Sequence, residues 1–307
     1  PNLLHYLLFI IYGFYFVLGK MAGVFHSLTE FKNLFFLDPS SFYLIGRTIG
    51  AIFGTMTVFL VFILGKKFYN KKIGFLAALF LTFTFLHARS SHYARHDIPV
   101  TFFIILAYLF ILNIIKSGRR KDYLLSGFFT GLAISTNWNA ILLIPSIFMA
   151  HFFARNKDTR AINGLAFNRM LFLVLCLVIL GLFCGSPYIF LDFKSFYSGF
   201  VFQLDRLLRG VQSIPIPSYT GKGWIFIIAH SLFYGLGWPL LILSFMGSLY
   251  SLYKHSPYDL TLLSFPIIYY LFLGRMSSGL SDEYIIPFLP FLAIFASRLF
   301  GSIDKTF

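Results

Sequence analysis

The stretch His87-Ala-Arg-Ser-Ser-His-Tyr-Ala-Arg-His-Asp97 lies between two apolar runs, residues 73–86 and 98–115. It holds three histidines, two arginines and one carboxylate, and both neighbouring runs are predicted to cross a bilayer as helices. Ionisable side chains at a membrane face indicate either a functional site or a charged cap where a helix meets water. The pattern therefore predicts membrane helices with a candidate site between two of them.

The composition excludes a soluble globular protein. Hydrophobic residues make up 58% of the chain and charged residues 12%, about half of the ~25% usual in soluble domains. The net charge of +14 would suit a nucleic-acid partner in a soluble chain. Here the basic residues lie in short loops between apolar segments, as membrane anchoring requires, so we expect a lipid bilayer and no nucleic acid as partner.

The apolar pattern predicts an all-α fold, a polytopic transmembrane helical bundle. We expect one membrane domain over residues 1–307, with an extracytoplasmic loop at 189–223. The residues around 235–239 are expected to break the long run 224–251, because they combine glycines with a proline. The nine predicted spans are 46–64, 73–86, 98–115, 123–136, 140–153, 170–185, 238–251, 260–273 and 284–297.

Basic residues predict the orientation of the bundle. Strict alternation of spans places the basic groups at 66–72, 116–121, 155–169, 254–255 and 298–305 on one side, with 15 of the 25 Lys and Arg. The positive-inside rule makes that side cytoplasmic. The 87–97 stretch and seven of the eleven acids then lie on the extracytoplasmic side. A substrate site is expected there.

Several short motifs occur along the whole chain in a fixed order. Glycines at 46, 50 and 54 share one helix face and predict close approach of a neighbouring helix. The motifs occupy residues 47–54, 66–78, 91–103, 131–139, 185–192 and 283–290. In this order they resemble the GT-C-fold membrane glycosyltransferases of the protein O-mannosyltransferase-like group, which also contains the bacterial lipid A aminoarabinose transferases.

The resemblance implies an enzyme that takes a sugar from a polyprenyl-phosphate donor and places it on a protein, lipid or glycan acceptor. It also implies a multi-pass protein of a bacterial or archaeal plasma membrane, with its site on the extracytoplasmic side. The sequence leaves the sugar, the polyprenol and the acceptor open.

The resemblance further predicts how the N-terminus is organised. In the family, a first helix and an acidic outer loop precede a segment like the one that opens this chain. We therefore expect the chain to lack that helix and the principal catalytic base. Residues 3–19 are then expected to form a juxtamembrane helix, or a span if the chain begins in the cytoplasm.

Candidate site residues follow from the match. Asp97 occupies the family's second outer acidic position and is the catalytic candidate, with metal binding, orientation of Arg95 and placement of the acceptor left open. Arg47 and Arg95 are candidates for the donor phosphate, because cations stabilise the negative charge that develops on the leaving group. His92 and His96 are expected to assist them.

Four further polar residues are candidates for contacts with the acceptor or within loops, and two of them depart from the family pattern. Asn137 stands where many relatives carry lysine, and Glu283 where they often carry arginine. The four are Asn137, Asp192, Asp282 and Glu283, and a solvated loop is the alternative for the last two. A divalent metal held by His92, His96 and Asp97 is a weak prediction, because these are three ligands at most.

A transporter and a non-catalytic membrane scaffold are the alternatives. A transporter would show repeated halves and helices broken at mid-depth, whereas here the polar residues gather at one membrane face. A chain without its catalytic base fits a scaffold.

Overall fold

The computed structural model describes residues 2–154, 169–209, 223–275 and 281–303, and within these ranges the chain is helical without a strand. The described residues do not include 155–168, 210–222, 276–280 and 304–307. The parts of the predicted loops and basic groups that fall in these ranges therefore lie outside the described residues. The helices are α1 Leu3–Met21, α2 Leu28–Leu37, α3 Ser40–Phe68, α4 Lys71–Phe83, α5 Phe85–Ser91, α6 Asp97–Ser117, α7 Arg120–Thr136, α8 Ile144–Phe153, α9 Arg169–Gly185, α10 Tyr188–Leu191, α11 Phe193–Arg209, α12 Gly223–Leu236, α13 Trp238–Lys254, α14 Pro257–Leu273 and α15 Leu289–Ile303.

Two 3₁₀ segments complete the described chain. Trp138–Leu143 leads into α8 and Asp282–Phe288 leads into α15. A helical element covers each of the nine predicted spans, so the all-α prediction is confirmed. The chain is an integral membrane protein with an α-helical bundle.

The number of nine spans is not confirmed. Four described segments are long and apolar enough to cross a membrane, namely Leu3–Met21, Ser40–Phe68, Asp97–Ser117 and Asp282–Gly301. Two bent helix pairs raise the number to six, and three further apolar helical segments are shorter. Because α1 is itself long enough to span, the juxtamembrane helix stays a prediction.

Two breaks in the helices differ in how well the pattern predicted them. The break near 235–239 is confirmed, since Gly237 has a φ of +74° and α12 meets α13 at a bend of 117°. The predicted span 73–86 is not one straight helix, because the chain bends by 67° at Thr84 between α4 and α5. Thr84 adopts an extended conformation there, and its hydroxyl donates to the carbonyl of Phe80 (2.8 Å).

Helix α6 forms the centre of the bundle, because 72% of the residues in its most apolar stretch are buried. Its Tyr108 is fully buried and donates to Ser146 Oγ (2.8 Å) and to the carbonyl of Thr261 (3.1 Å). Ser264 donates to the same Ser146 hydroxyl (2.7 Å). In a membrane the hydrophobic effect does not drive helices together, because lipid tails are also apolar. Interhelical hydrogen bonds of this kind and close packing therefore hold α6 against α8 and α14.

The two ends of the bundle differ in charge, as the alternation predicted. At the end we call the basic end, Tyr69 and Arg298 both contact Asp259, which brings the turn after α3 beside α14 and α15. Lys67 shares a cavity there with residues 116–122. At the opposite end, which we call the cluster end, residues 91–94 pack on α3 and Arg95 pairs with Glu283.

Candidate active site

The residues 92–96 form a short non-helical connection at the cluster end. Helix α5 ends at Ser91 and α6 begins at Asp97. His92 and His96 are four residues apart, but they do not share a helix face because the chain between them is not helical. The connection lies on the glycine face of α3. A Cβ placed on Gly46 would come within 2.7 Å of the Ala94 Cβ, and one on Gly50 within 2.8 Å of the Tyr93 carbonyl. The predicted close approach exists, but its partner is chiefly this connection.

An ion-pair cluster lies where this connection enters α6. Arg95 Nε lies 3.0 Å from Asp97 Oδ2, and Arg95 Nη1 lies 3.2 Å from Glu283 Oε1. His96 Nε2 lies 3.7 Å from Asp97 Oδ1. The side chain of Asp97 is 6% exposed and that of Arg95 47% exposed. One half-exposed guanidinium therefore bridges a buried and a partly buried carboxylate.

The 3₁₀ segment Asp282–Phe288 brings the second carboxylate to this cluster. The hydroxyl of Ser281 also donates to Glu283. The neighbouring Asp282 accepts a hydrogen bond from Ser231 Oγ (2.7 Å) and lies 3.2 Å from His230 Nδ1 on α12. The side chains of these two acids are therefore not simply solvated, as the alternative prediction had it. Glu283 pairs with Arg95, and Asp282 contacts α12.

Arg47 lies on α3 at the same end of the bundle. It is exposed and lines a groove of about 400 Å³ together with Pro39, Ser40, Tyr43 and Leu44. Within the described parts of the chain its guanidinium forms no ion pair or hydrogen bond. The preceding residue, Gly46, faces Ala94, so this turn of α3 lies at the end of the bundle that carries Arg95.

The remaining candidates have local partners. The Asn137 side chain accepts from the N–H of Asn139 (3.1 Å) and so begins the 3₁₀ segment Trp138–Leu143. Asp192 accepts from the N–H of Ser195 (3.2 Å) at the start of α11. His92 is exposed at the C-terminus of α5. The structure thus gathers Arg47, Arg95, His96, Asp97 and Glu283 at the cluster end, while Asn137 and Asp192 make short-range contacts.

Three buried polar atoms near α6 have no hydrogen-bond partner among the described residues, namely Asp97 Oδ2, Asn139 Oδ1 and His87 Nδ1. Arg95 Nε is close to Asp97 Oδ2 but is not aligned to donate to it. The Tyr269 hydroxyl donates to the carbonyl of Tyr284 (3.1 Å) and lies beside the Asn139 side chain. Buried polar atoms are normally paired, so these mark places for water or a ligand.

The described residues contain no group of three His, Cys, Asp or Glu side chains placed to hold a metal ion. His87 lies apart from the other histidines of its stretch, since its Nε2 faces the carbonyl of Gly54 (3.4 Å). Asp97 is paired with Arg95 instead. The proposed trio of metal ligands is therefore not assembled in this geometry.

Comparison with known proteins identifies the architecture. A sequence model of the family described as "Dolichyl-phosphate-mannose-protein mannosyltransferase" matches residues 43–187. ArnT from Cupriavidus metallidurans, solved bound to undecaprenyl phosphate, is similar in structure with a TM-score of 0.56 and 15% identity over 82% of this chain. The chain has a GT-C fold. The resemblance drawn from the sequence motifs is thereby confirmed.

A second solved structure supports the same GT-C fold. The archaeal oligosaccharyltransferase AglB from Archaeoglobus fulgidus, in complex with an inhibitory peptide and a dolichol-phosphate, has a TM-score of 0.57 and 16% identity over 99% of this chain. The chain spans less than half of either protein, 45% of the ArnT chain and 43% of the AglB chain. No curated protein matches in sequence.

The family match covers part of the candidate site. Arg47, Arg95 and Asp97 lie within the matched residues 43–187, whereas Glu283 lies outside them. Sequence reasoning missed the role of Glu283 as the partner of Arg95, as well as His230, Ser231 and Tyr269. The only available signal was that Glu283 and Arg95 were predicted at the same membrane face with opposite charge.

Proposed function

We propose that this GT-C chain forms the membrane part of a glycosyltransferase that takes a sugar from a polyprenyl-phosphate donor. The acceptor is a protein, lipid or glycan. The observation that carries the proposal is that Arg95, held by Asp97 and Glu283, and the exposed Arg47 lie at the same end of the bundle. In our proposal these two arginines are the cations that face a phosphate at the edge of the membrane.

The two solved relatives support the donor class. ArnT was solved with undecaprenyl phosphate and AglB with a dolichol-phosphate, so lipid phosphates bind to proteins of this fold. AglB was also solved with a peptide. The family matched over residues 43–187 is described by its use of dolichyl-phosphate-mannose. A polyprenyl phosphate is common to these descriptions, and in our proposal the donor is its sugar derivative.

The proposed chemistry follows from charge. When the bond between the anomeric carbon and the phosphate oxygen breaks, its electron pair stays on the phosphate. The acceptor hydroxyl bonds to the carbon, and its proton passes to the departing phosphate or to water. Preorganised cations at the phosphate stabilise that charge. Arg47 and Arg95 are these cations in our proposal. Nε and Nη1 of Arg95 face carboxylates, which leaves its Nη2 group for a phosphate.

In this proposal Asp97 positions Arg95. A buried carboxylate costs free energy unless it is paired, and a planar guanidinium is the partner that holds a fixed orientation. Glu283 fixes the same guanidinium from a second direction. In this proposal the role of the two acids is to fix the orientation of the Arg95 guanidinium.

The proposed orientation places the cluster end on the extracytoplasmic side. The basic end gathers Lys66, Lys67, Lys71 and Lys72 together with residues 116–121, and the positive-inside rule assigns such loops to the cytoplasm. The two solved relatives come from a bacterium and an archaeon, which supports a prokaryotic plasma membrane.

The test is a transfer assay in membranes from cells that express the full-length protein, supplied with a labelled polyprenyl-phosphate sugar. We expect Arg47→Ala to lower transfer by about 100-fold or more, as removal of a preorganised transition-state contact does. We expect Asp97→Asn to lower transfer by about 100-fold, because Arg95 then loses the carboxylate that positions it. Arg120→Ala, an exposed arginine at the basic end, is the matched control and should transfer normally. Wild-type transfer by Arg47→Ala and Asp97→Asn would remove both residues from the site.

A further inference from the structure

A second charged cavity lies at the basic end, far from the cluster that carries the proposed function. Its volume is about 590 Å³, within the ~300–1,000 Å³ usual for ligand pockets. It forms where the C-termini of α3 and α6 meet the N-terminus of α7. Asp97 and Lys116 stand nineteen residues apart on α6, so the two sites are separated by about 28 Å.

Cations dominate the lining of this cavity. Four of its side chains are positively charged, and the single acid is Asp122, which is buried and accepts a hydrogen bond from Ser117 Oγ (2.7 Å). Within the described parts of the chain none of the four cations forms an ion pair with a carboxylate. The four cations are Lys67, Lys116, Arg119 and Lys121.

The backbone adds to the positive potential. Helix α7 begins at Arg120 without a side-chain cap, and the positive end of its dipole lies at the cavity. An anion there would interact favourably with the positive end of the α7 dipole as well as with the cations. Phe110 and Leu125 supply an apolar wall, and the Phe110 ring stacks on Phe129 at 5.5 Å.

We infer that this cavity binds a phosphate group, carried by an anionic phospholipid head group or by free phosphate. Like charges that converge from three helices repel one another, and an oxyanion removes that repulsion. Basic pockets between membrane helices at the cytoplasmic face bind lipid head groups in this way. The site is distinct from the proposed donor site, because it lies at the other end of α6.

The experiment measures binding to the purified chain and does not depend on transfer activity. Nanodiscs or detergent micelles carry either phosphatidylglycerol or phosphatidylcholine, and native mass spectrometry counts the retained lipid. Inorganic phosphate is titrated separately. The test variant is Lys67→Gln/Lys116→Gln/Lys121→Gln. The control is Lys66→Gln/Lys71→Gln/Arg120→Gln, which removes the same charge at the same end from residues that do not line the cavity.

We expect wild-type protein to retain phosphatidylglycerol over phosphatidylcholine. The test variant should lose about 100-fold in affinity, from about fivefold for each cation removed. The control should lose far less, and Lys67→Arg/Lys116→Arg/Lys121→Arg should bind normally, which excludes misfolding as the cause. If inorganic phosphate binds and displaces the lipid, free phosphate is the ligand. Binding of neither probe, or equal loss in the test and control variants, would overturn the inference.

Discussion

Arg95 shows why residue type matters more than charge at this site. Its guanidinium contacts Asp97 and Glu283 through two different nitrogens, at 3.0 and 3.2 Å. A lysine would bring the same charge but only a single point of contact. The planar fork is therefore the feature that lets one side chain span two carboxylates and still present an edge to the solvent.

At the residue scale we predict that Arg95→Lys lowers transfer by about 10- to 100-fold, since a misplacement of about 1 Å at a reacting group costs that much. The measurement is the rate of transfer over a range of donor concentrations, and we expect a raised KM for the donor. Arg89→Lys is the control, because Arg89 lies over the Tyr93 ring and has no carboxylate ion pair among the described residues. Normal kinetics in Arg95→Lys would contradict the proposed positioning.

Glu283 tests the same arrangement from outside the family match. Glu283→Gln removes the second carboxylate while keeping the side-chain size, so Arg95 keeps only Asp97 as an ionic partner. We expect a smaller loss of transfer than in Asp97→Asn, because Glu283 is more exposed, 20% against 6% for the side chain. Asp205→Asn, an exposed acid on α11, should leave transfer unchanged. A greater loss in Glu283→Gln than in Asp97→Asn would reverse the assigned order.

Helix α3 is the element that supports the site. Its glycines at 46, 50 and 54 leave room for residues 91–94 to lie directly on the helix. A side chain at Gly50 would meet the carbonyl oxygens of both Tyr93 and Ser91 within 3 Å. These contacts are to backbone, which cannot swing aside as a flexible side chain can.

At the element scale we predict that Gly50→Ala displaces the 92–96 connection and lowers transfer by about 10-fold or more, since the cluster moves with it. Gly13→Ala is a matched control in α1, because a Cβ there meets nothing within 4 Å. In that open position alanine should raise helix stability by about 0.5–1 kcal/mol. Transfer by both variants and their thermal unfolding in detergent decide the outcome, and equal behaviour would show that α3 does not position the cluster.

The whole bundle is held at its basic end by a buried ion pair. Arg298 donates to both oxygens of Asp259, from Nε at 3.0 Å and from Nη2 at 2.6 Å, and its guanidinium lies 4.2 Å from the Tyr69 ring centre. Burial raises the pKa of Tyr69 well above its usual value, so the phenol stays protonated and donates to Asp259 Oδ1 (2.6 Å). Three distant parts of the sequence meet at one carboxylate.

At the scale of the molecule we predict that Arg298→Met lowers the free energy of unfolding by about 3–5 kcal/mol, because it leaves a buried carboxylate unpaired. The double variant Asp259→Leu/Arg298→Met should recover most of that loss, since it leaves no charge to bury. Thermal unfolding in detergent measures both, with the exposed Lys254→Gln as control. A double variant less stable than Arg298→Met would show that packing, and not charge, holds this end.

The elements of the fold were largely predictable. Apolar runs separated by basic turns predicted helices at every span position, and glycine with proline predicted the break before Trp238. The bend at Thr84 was not predictable, because no proline or glycine marks it. The number of spans likewise stayed open, since several helices are too short to decide by length.

The candidate site was predicted in part. Arg95 and Asp97 are neighbours in the chain, so their pairing needed only a turn between two helices. Glu283 is far away in sequence, and nothing local indicates that the 3₁₀ segment Asp282–Phe288 meets α6. His92 and His96 are four residues apart, which would place them on one face if that stretch were helical, but both lie in the connection between the end of α5 at Ser91 and the start of α6.

The order of the amino acids was enough to predict a helical membrane protein whose basic residues lie mostly in turns between apolar runs. These properties depend on composition and on order along the chain, because apolar helices are stable in the bilayer and charged residues are costly to bury there. Only the tertiary structure decided which distant carboxylate pairs with Arg95, and that three helices surround a basic cavity. Such pairings depend on how helices pack against each other, and a single helix carries no record of its neighbours.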